Sequence, residues 1–160
     1  PMGPMGGPLM HHRARAEMQA LGDSGIKGTV RFMSAGHGVV VTGEISGLAP
    51  GSVHGFHVHD KGDCTAADGS SAGGHFNPFN SAHGALGAAT NHVGDLGNLV
   101  ADKEGRATFS LFKGDASLEG GPANLIGKGV ILHADQDDLS TQPTGAAGGR
   151  IGCGVVALEN

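Results

Sequence analysis

Gly55-Phe56-His57-Val58-His59 is the stretch of this chain from which the fold prediction starts. Side chains alternate between two faces along a β-strand, so Phe56 and Val58 would lie on one face and the two histidines on the other. Such a strand packs its apolar face on a core and presents two imidazoles from the opposite face. Imidazole nitrogens bind transition metals, and we therefore predict a metal site beside a β-sheet.

Strand-like patterns continue on both sides of this stretch. The predicted strands cover residues 14–21, 26–33, 39–48, 52–60, 96–101, 106–112, 125–134 and 151–158. Turn-forming residues separate most of them, and no segment has a helical period. The polar segment 114–124 is expected to cross over between strands. We predict an all-β domain, an eight-stranded Greek-key β-sandwich or flattened barrel.

Two long segments, 61–94 and 135–149, show no periodicity. Loops of this length inside a compact domain usually have a function. A bound metal can order a loop that apolar burial cannot order. The first loop carries most of the remaining candidate ligands, namely Cys64, His75, His83, His92 and Asp95. We therefore expect two long functional loops.

The composition limits the partners. The chain has 160 residues, enough for one domain with a core, and a formal charge of −5. This charge argues against nucleic acid as a partner, and an anionic substrate would need a local positive group. No apolar run approaches the roughly 20 residues of a membrane span.

Residues 1–13 are expected to form a flexible extension before the domain at 14–160, because they are rich in Pro and Gly and lack periodicity. The extension contains soft and borderline copper ligands, namely Met2, Met5, Met10, His11 and His12. It is either a copper-capture tail or a disordered end without a role in metal binding.

The remaining cysteine and histidines allow simpler interpretations. Cys64 and Cys153 form either one disulfide, closing a loop of roughly 90 residues, or two buried thiols. A persistent disulfide would favour an oxidising compartment. His37 lies among turn formers and is expected in solvent. His54 shares the face of Phe56 and is expected to hydrogen-bond within the scaffold.

Several segments resemble the signatures of the copper/zinc superoxide dismutase family, in that family's order and near its spacings. They are Gly55-Phe56-His57-Val58-His59, Gly74-His75-Phe76-Asn77-Pro78, His92-Val93-Gly94-Asp95-Leu96, His133 and Gly149-Arg150-Ile151-Gly152-Cys153-Gly154-Val155. The resemblance covers roughly residues 14–158 and fills every ligand position that the family requires.

The resemblance implies two metal ions. Copper would be bound by His57, His59, His75 and His133. Zinc would be bound by His75, His83, His92 and Asp95. His75 would bridge both ions and, when released from copper, donate a proton.

The resemblance also assigns roles around the metals. Asp137 would be the carboxylate that joins a copper ligand to a zinc ligand. Arg150 would hold superoxide at the mouth of the copper channel. Cys64 and Cys153 would form the intrasubunit disulfide.

The implied activity is the disproportionation of superoxide to O2 and H2O2, in a homodimer that receives copper from a chaperone or other donor. The alternative is a non-catalytic copper-delivery or metal-binding domain of the same fold. A periplasmic or extracellular location is favoured, and a cytoplasmic one stays open.

The chain departs from the commonest eukaryotic pattern of the family. Cys64 follows His59 by five residues, a spacing that resembles bacterial members. The loop before Arg150 is short and lacks an acidic and lysine cluster. Nevertheless, segments 124–127 and 155–157 resemble the eukaryotic-type dimer edge.

Overall fold

Antiparallel strands build the protein in a computed structural model that describes residues 12–159. The strands are β1 Arg13–Ala20, β2 Lys27–Ala35, β3 Gly38–Ser46, β4 Val53–His59, β5 Asp95–Val100, β6 Ala107–Lys113, β7 Gly129–His133, β8 Arg150–Val155 and β9 Ala157–Glu159. Within the described range, the single helical element is a 3-10 turn at Ser70–Ala72. The prediction of an all-β fold is confirmed.

The strand order explains the barrel shape. The strands pair in the order β5-β4-β7-β8-β1-β2-β3-β6, and β9 pairs with the start of β1. The end strands β5 and β6 contact each other without forming a ladder in the described part of the chain, so the barrel is nearly closed. The neighbours β3–β6 and β4–β7 are not consecutive in sequence, which is consistent with the predicted Greek key.

Alternating apolar residues fill the barrel. Phe32, Val41, Ile45, Phe56 and Leu132 are almost completely buried. Burying each side chain of this size stabilises the fold by about 1.5–3 kcal/mol. Strand β4 follows the predicted alternation around its histidines, since Phe56 and Val58 lie in this core. The histidines on its other face are buried as well, because the long loops cover them.

Two predicted strands have different bounds in the structure. Residues 125–128 form a turn instead of the start of a strand, with the Lys128 N–H donating to Leu125 O. Gly127 permits this turn at φ +82°, a region that side chains disfavour. The last predicted strand is divided at Val156, whose N–H donates to Lys128 O instead of continuing a ladder.

The two long loops occupy residues 60–94 and 134–149, close to the predicted bounds. The disulfide Cys64–Cys153 ties the first loop to β8. Strand β1 begins at Arg13, one residue before the predicted domain boundary. Met2, Met5, Met10 and His11 lie outside the described residues. No helix in residues 12–159 is long and apolar enough to cross a membrane.

Candidate metal centre

Strands supply three of the imidazoles at the centre. His57 and His59 lie on β4, opposite Ile131 and Gly129 of β7. His133 ends β7, and its Nε2 lies 3.3 Å from Nε2 of His59. All three side chains are buried. The sheet register alone therefore brings these imidazoles together.

The first loop adds the fourth imidazole. An isolated β-bridge joins His75 to His59. The His75 ring centroid lies 4.0 Å from that of His57 and 4.9 Å from that of His59. One nitrogen from each of the four residues lies within 4.8 Å of the others in a set that we call the first group: His57, His59, His75 and His133.

A second cluster forms around Asp95, the first residue of β5. Its Oδ1 lies 3.1 Å from His75 Nδ1, 2.8 Å from His83 Nδ1 and 3.4 Å from His92 Nδ1. Tetrahedral zinc ligands at 2.0–2.2 Å from the ion would stand about 3.3–3.6 Å apart. The spacing fits a small closed site, and we call these residues the second group: His75, His83, His92 and Asp95.

Compactness alone selects a slightly different set. His57, His75, His83 and Asp95 also have ligand atoms within 4.8 Å of one another, without His92. The hydrogen bonds argue against that choice. His92 contacts both of its neighbours in the second group, with Nδ1 3.4 Å from Asp95 Oδ1 and 3.1 Å from His75 Nδ1, and its N–H donates to Asp95 Oδ2 at 2.7 Å. His57 instead donates to Asp137. We therefore keep His57 in the first group and His92 in the second.

Two unpaired nitrogens indicate that metal ions fit here. His57 Nδ1 and His75 Nε2 are buried, and neither has a hydrogen-bond partner among the described residues. An unsatisfied buried polar atom costs about 1–3 kcal/mol, which a metal bond would remove. Four imidazoles suit copper, and three imidazoles with one carboxylate suit zinc.

Asp137 of the second loop connects the two groups. One carboxylate oxygen accepts a hydrogen bond from His57 Nε2 at 2.7 Å, and the other accepts one from His83 Nε2 at 2.8 Å. Asn98 holds the Asp137 backbone through its side-chain amide, at 2.8 Å to N–H and 3.0 Å to C=O. Both histidines thereby present Nδ1 to their groups.

Burial favours the neutral form of three imidazoles in the first group, those of His59, His75 and His133. It lowers the pKa of His75 to about 4 and that of His133 to about 3. Burial also lowers the pKa of His59 well below its ordinary value, and the charge of Arg150 adds to this effect. Neutral imidazoles keep a lone pair available for a metal at neutral pH.

Hydrogen bonds favour the charged carboxylate in the second group. Burial raises the pKa of Asp95, but the hydrogen bonds from His75 and His92 lower it by more, so that the net change is a decrease. Burial lowers the pKa of His83, but Asp137 and Asp95 more than offset this and raise it. Asp95 therefore gives the second group an anionic ligand suited to a divalent cation.

Arg150 lies beside the first group. Its guanidinium donates from one Nη to Gly69 O at 2.8 Å and is half-buried. Gly69 belongs to the first loop. The disulfide fastens this loop to Cys153 on β8, three residues after Arg150. The two tethers fix a positive group next to His59 and His133.

Further side chains support the centre from outside the two groups. His54 Nδ1 donates to His133 O at 2.8 Å, and His54 is structural as predicted. Asn98 and Gln142 were not predicted, although both bond to residues of the centre. The buried Lys113 was not predicted either, and it donates to Asn91 next to His92 at 2.8 Å. These side-chain bonds leave no periodic signal in the sequence.

The fold and the two groups define a β-barrel metalloprotein with two adjacent metal-binding clusters. The family model described as "Copper/zinc superoxide dismutase (SODC)" matches residues 26–156. The chain belongs to the copper/zinc superoxide dismutase family. It is therefore an enzyme of the superoxide dismutase class, with copper and zinc as its cofactors.

Individual relatives agree with this assignment. A Cu-Zn superoxide dismutase of Paramecium bursaria Chlorella virus 1 is 48% identical over 84% of this chain and 75% of its own length. One from Brassica juncea is 46% identical over 84% of this chain and 91% of its own length. The crystal structure of the clock protein EA4 superposes with a TM-score of 0.82 at 40% identity, covering 91% of this chain and 93% of that one.

Proposed function

We propose that the protein converts two superoxide anions and two protons into O2 and H2O2 at copper bound by the first group, with zinc bound by the second. The observation that carries this proposal is the environment of His75. Its Nδ1 contacts Asp95 and His92, while its buried Nε2 has no partner among the described residues. Such an imidazole is placed to serve both groups.

The two metals would have different roles. Bound copper supplies one-electron redox chemistry, and zinc, which has none, keeps His75 in place. His75 would hold a proton at Nε2 and deliver it to reduced oxygen. Asp137 would keep His57 and His83 in the tautomer that leaves Nδ1 free for a metal.

Arg150 would attract the substrate. The chain carries a net charge of −5, so its overall field repels an anion. A guanidinium is always charged and offers a flat set of donors. Fixed by Gly69 beside His59 and His133, Arg150 would bring superoxide to the copper side.

The non-catalytic alternative has less support. A copper-delivery domain of this fold would need neither the complete first group nor a tethered arginine beside it. Both features are present, and family membership favours catalysis.

We also propose that two copies of the protein form a homodimer. Gly127 and Val155, from the two segments that resemble the dimer edge of the family, lie close together, since both closely approach Gly62. Val155 is 38% exposed there. A mass measurement in solution at the working concentration tests this state. Copper supply from a donor protein stays a prediction of the sequence.

The disulfide supports an oxidising location, periplasmic or extracellular. A relative from Brugia pahangi, 45% identical over 84% of this chain and 70% of its own length, is named an extracellular superoxide dismutase. Fractionation of the native cell or medium would test the location.

Superoxide decay after defined metal loading tests the activity. Metal-free protein would be loaded with one copper and one zinc per chain, and decay would be followed after a pulse of superoxide. We expect fast copper-dependent decay that zinc alone does not give. Decay no faster than with zinc alone would overturn the proposal.

A further inference from the structure

The side-chain amide of Gln142 forms two hydrogen bonds with the backbone of His83. The His83 N–H donates to Gln142 Oε1 at 2.7 Å, and Gln142 Nε2 donates to His83 O at 2.9 Å. Gln142 Nε2 also donates to Ser140 O at 2.9 Å, within its own loop. The amide therefore has its donors and acceptor satisfied, and it joins the second loop directly to a residue of the second group.

The side chain of His83 is held as firmly as its backbone. Its two ring nitrogens contact Asp95 and Asp137, each at 2.8 Å. The N–H of the next residue, Gly84, donates to the other oxygen of Asp95 at 3.1 Å. Every polar atom of His83 thus has a partner, and three of its four polar atoms bond to the second loop, through Gln142 and Asp137.

Gly145 allows the second loop to approach this closely. It adopts φ +73°, and an added Cβ would collide with Asp137 Oδ1 and lie 2.7 Å from His83 Nε2. The Gly145 N–H donates to Thr141 O at 2.7 Å, which closes the turn that carries Gln142. The amide and the carboxylate of this loop therefore contact His83 from one compact unit.

We propose that Gln142 is a positioning residue for zinc, which fixes the His83 backbone so that Nδ1 faces the second group. The proposal rests on the proposed function, in which His83 binds zinc. Asp137 sets the tautomer and ring plane of His83, and Gln142 sets where the ring is attached. Without the amide, two backbone groups of His83 lose their partners and the ligand gains freedom.

Substitution of Gln142 tests this role. Gln142→Glu keeps an acceptor for the His83 N–H but removes the donor to His83 O and places a negative charge against that carbonyl. Gln142→Ala removes both bonds without adding a charge. Partners of metal-binding histidines change metal affinity by about 10- to 100-fold, so we expect zinc release to a chelator to be faster by that factor in both variants.

Gln136 provides a matched control, because it is an exposed glutamine on the same loop. Gln136→Glu adds the same charge and should leave zinc release unchanged. Co(II) in the zinc site gives a second readout, since its visible absorption depends on ligand geometry. The spectrum should change in both Gln142 variants and stay the same in the control.

Each outcome decides a separate point. If Gln142→Ala and Gln142→Glu release zinc at the wild-type rate with an unchanged cobalt spectrum, the positioning role is wrong. If Gln136→Glu matches Gln142→Glu and Gln142→Ala is normal, the effect is one of charge and the role is again wrong. His83→Ala is a reference: if it leaves cobalt binding intact, the zinc assignment fails instead. Thermal unfolding of the metal-free variants identifies any that do not fold, and Gln142→Asn then replaces them.

Discussion

Strands carry His57, His59 and His133, whereas the second group takes His83 and His92 from loop positions outside any strand or helical turn. The strand residues occupy fixed register positions beside a packed core. The loop residues depend on polar contacts with Asp95, Asp137 and Gln142. The comparison suggests that the sheet prepares the copper side and that zinc completes the other side.

His75 stands between these two types of construction. It comes from the loop, but a β-bridge to His59 fixes its backbone beside the strand residues. Its ring can therefore contact both groups while its main chain stays in place. A residue so placed can release one metal without losing its position.

The largest expected effect is the loss of activity when a copper ligand on a strand is removed. His133→Ala should lower copper-dependent superoxide decay by at least about 100-fold, because it removes a ligand that no loop residue can replace. Zinc content, measured by metal analysis, should be near one per chain. His37→Ala removes an exposed histidine as a control and should leave both unchanged. Full activity in His133→Ala would contradict the copper assignment.

Removing the disulfide should have the next largest effect. Replacing Cys64 and Cys153 with serine releases a loop closure of 89 residues and should lower the free energy of unfolding by about 2–5 kcal/mol. Hydrogen exchange should increase more in the first loop than in β4 or β7. Equal increases in the loop and in the strands would contradict the proposal that the loop depends on its tether while the strands are held by the core.

A smaller effect is expected at Asp137, which links the first group to the second. Asp137→Asn leaves one acceptor for two imidazole N–H groups, so one histidine loses its partner. Zinc affinity should fall by about 10- to 100-fold, as measured by competition with a chelator. Asp135→Asn removes a nearby carboxylate that is exposed and serves as the control. Equal zinc affinity in the two variants would contradict the role of Asp137 in orienting His83.

The last expected effect, in which the contributions of different histidines oppose one another, is the acid sensitivity of the metal-free protein. Burial holds the pKa of His75 at about 4 and that of His133 at about 3 in the folded chain, against 6.5 in the unfolded chain. The unfolded chain therefore binds more protons below pH 6.5, and stability falls as the pH decreases through this window. His83 acts in the opposite direction, because its pKa is raised.

Urea unfolding of the metal-free protein between pH 7 and 4.5 measures this effect. We expect the free energy of unfolding to fall by up to about 1.4 kcal/mol per pH unit below pH 6.5 for each of the two imidazoles, with His83 opposing part of the fall. His133→Ala should show a smaller fall. A free energy of unfolding that stays constant or rises on acidification would contradict the account of the buried imidazoles.

The same contrast explains what could be predicted from sequence. Alternation located the strands, and the parity of His57 and His59 was enough to place both imidazoles on one face. The loop residues have no such pattern, so the composition of the loop identified His83 and His92 only as candidate ligands, and their assignment to zinc came from the family resemblance. The bond between Gln142 and His83 joins positions 59 residues apart and leaves no local signal. The break at Val156 depends on a long-range contact with Lys128, which alternation cannot reveal.

The shared role of His75 is the central claim, and magnetic coupling tests it most directly. Protein with Cu(II) in the first group and Co(II) in the second would be measured by electron paramagnetic resonance. If His75 joins the ions through its imidazole, their spins couple and the Cu(II) signal should be strongly reduced relative to copper-only protein. An undiminished Cu(II) signal with both metals bound would contradict the account.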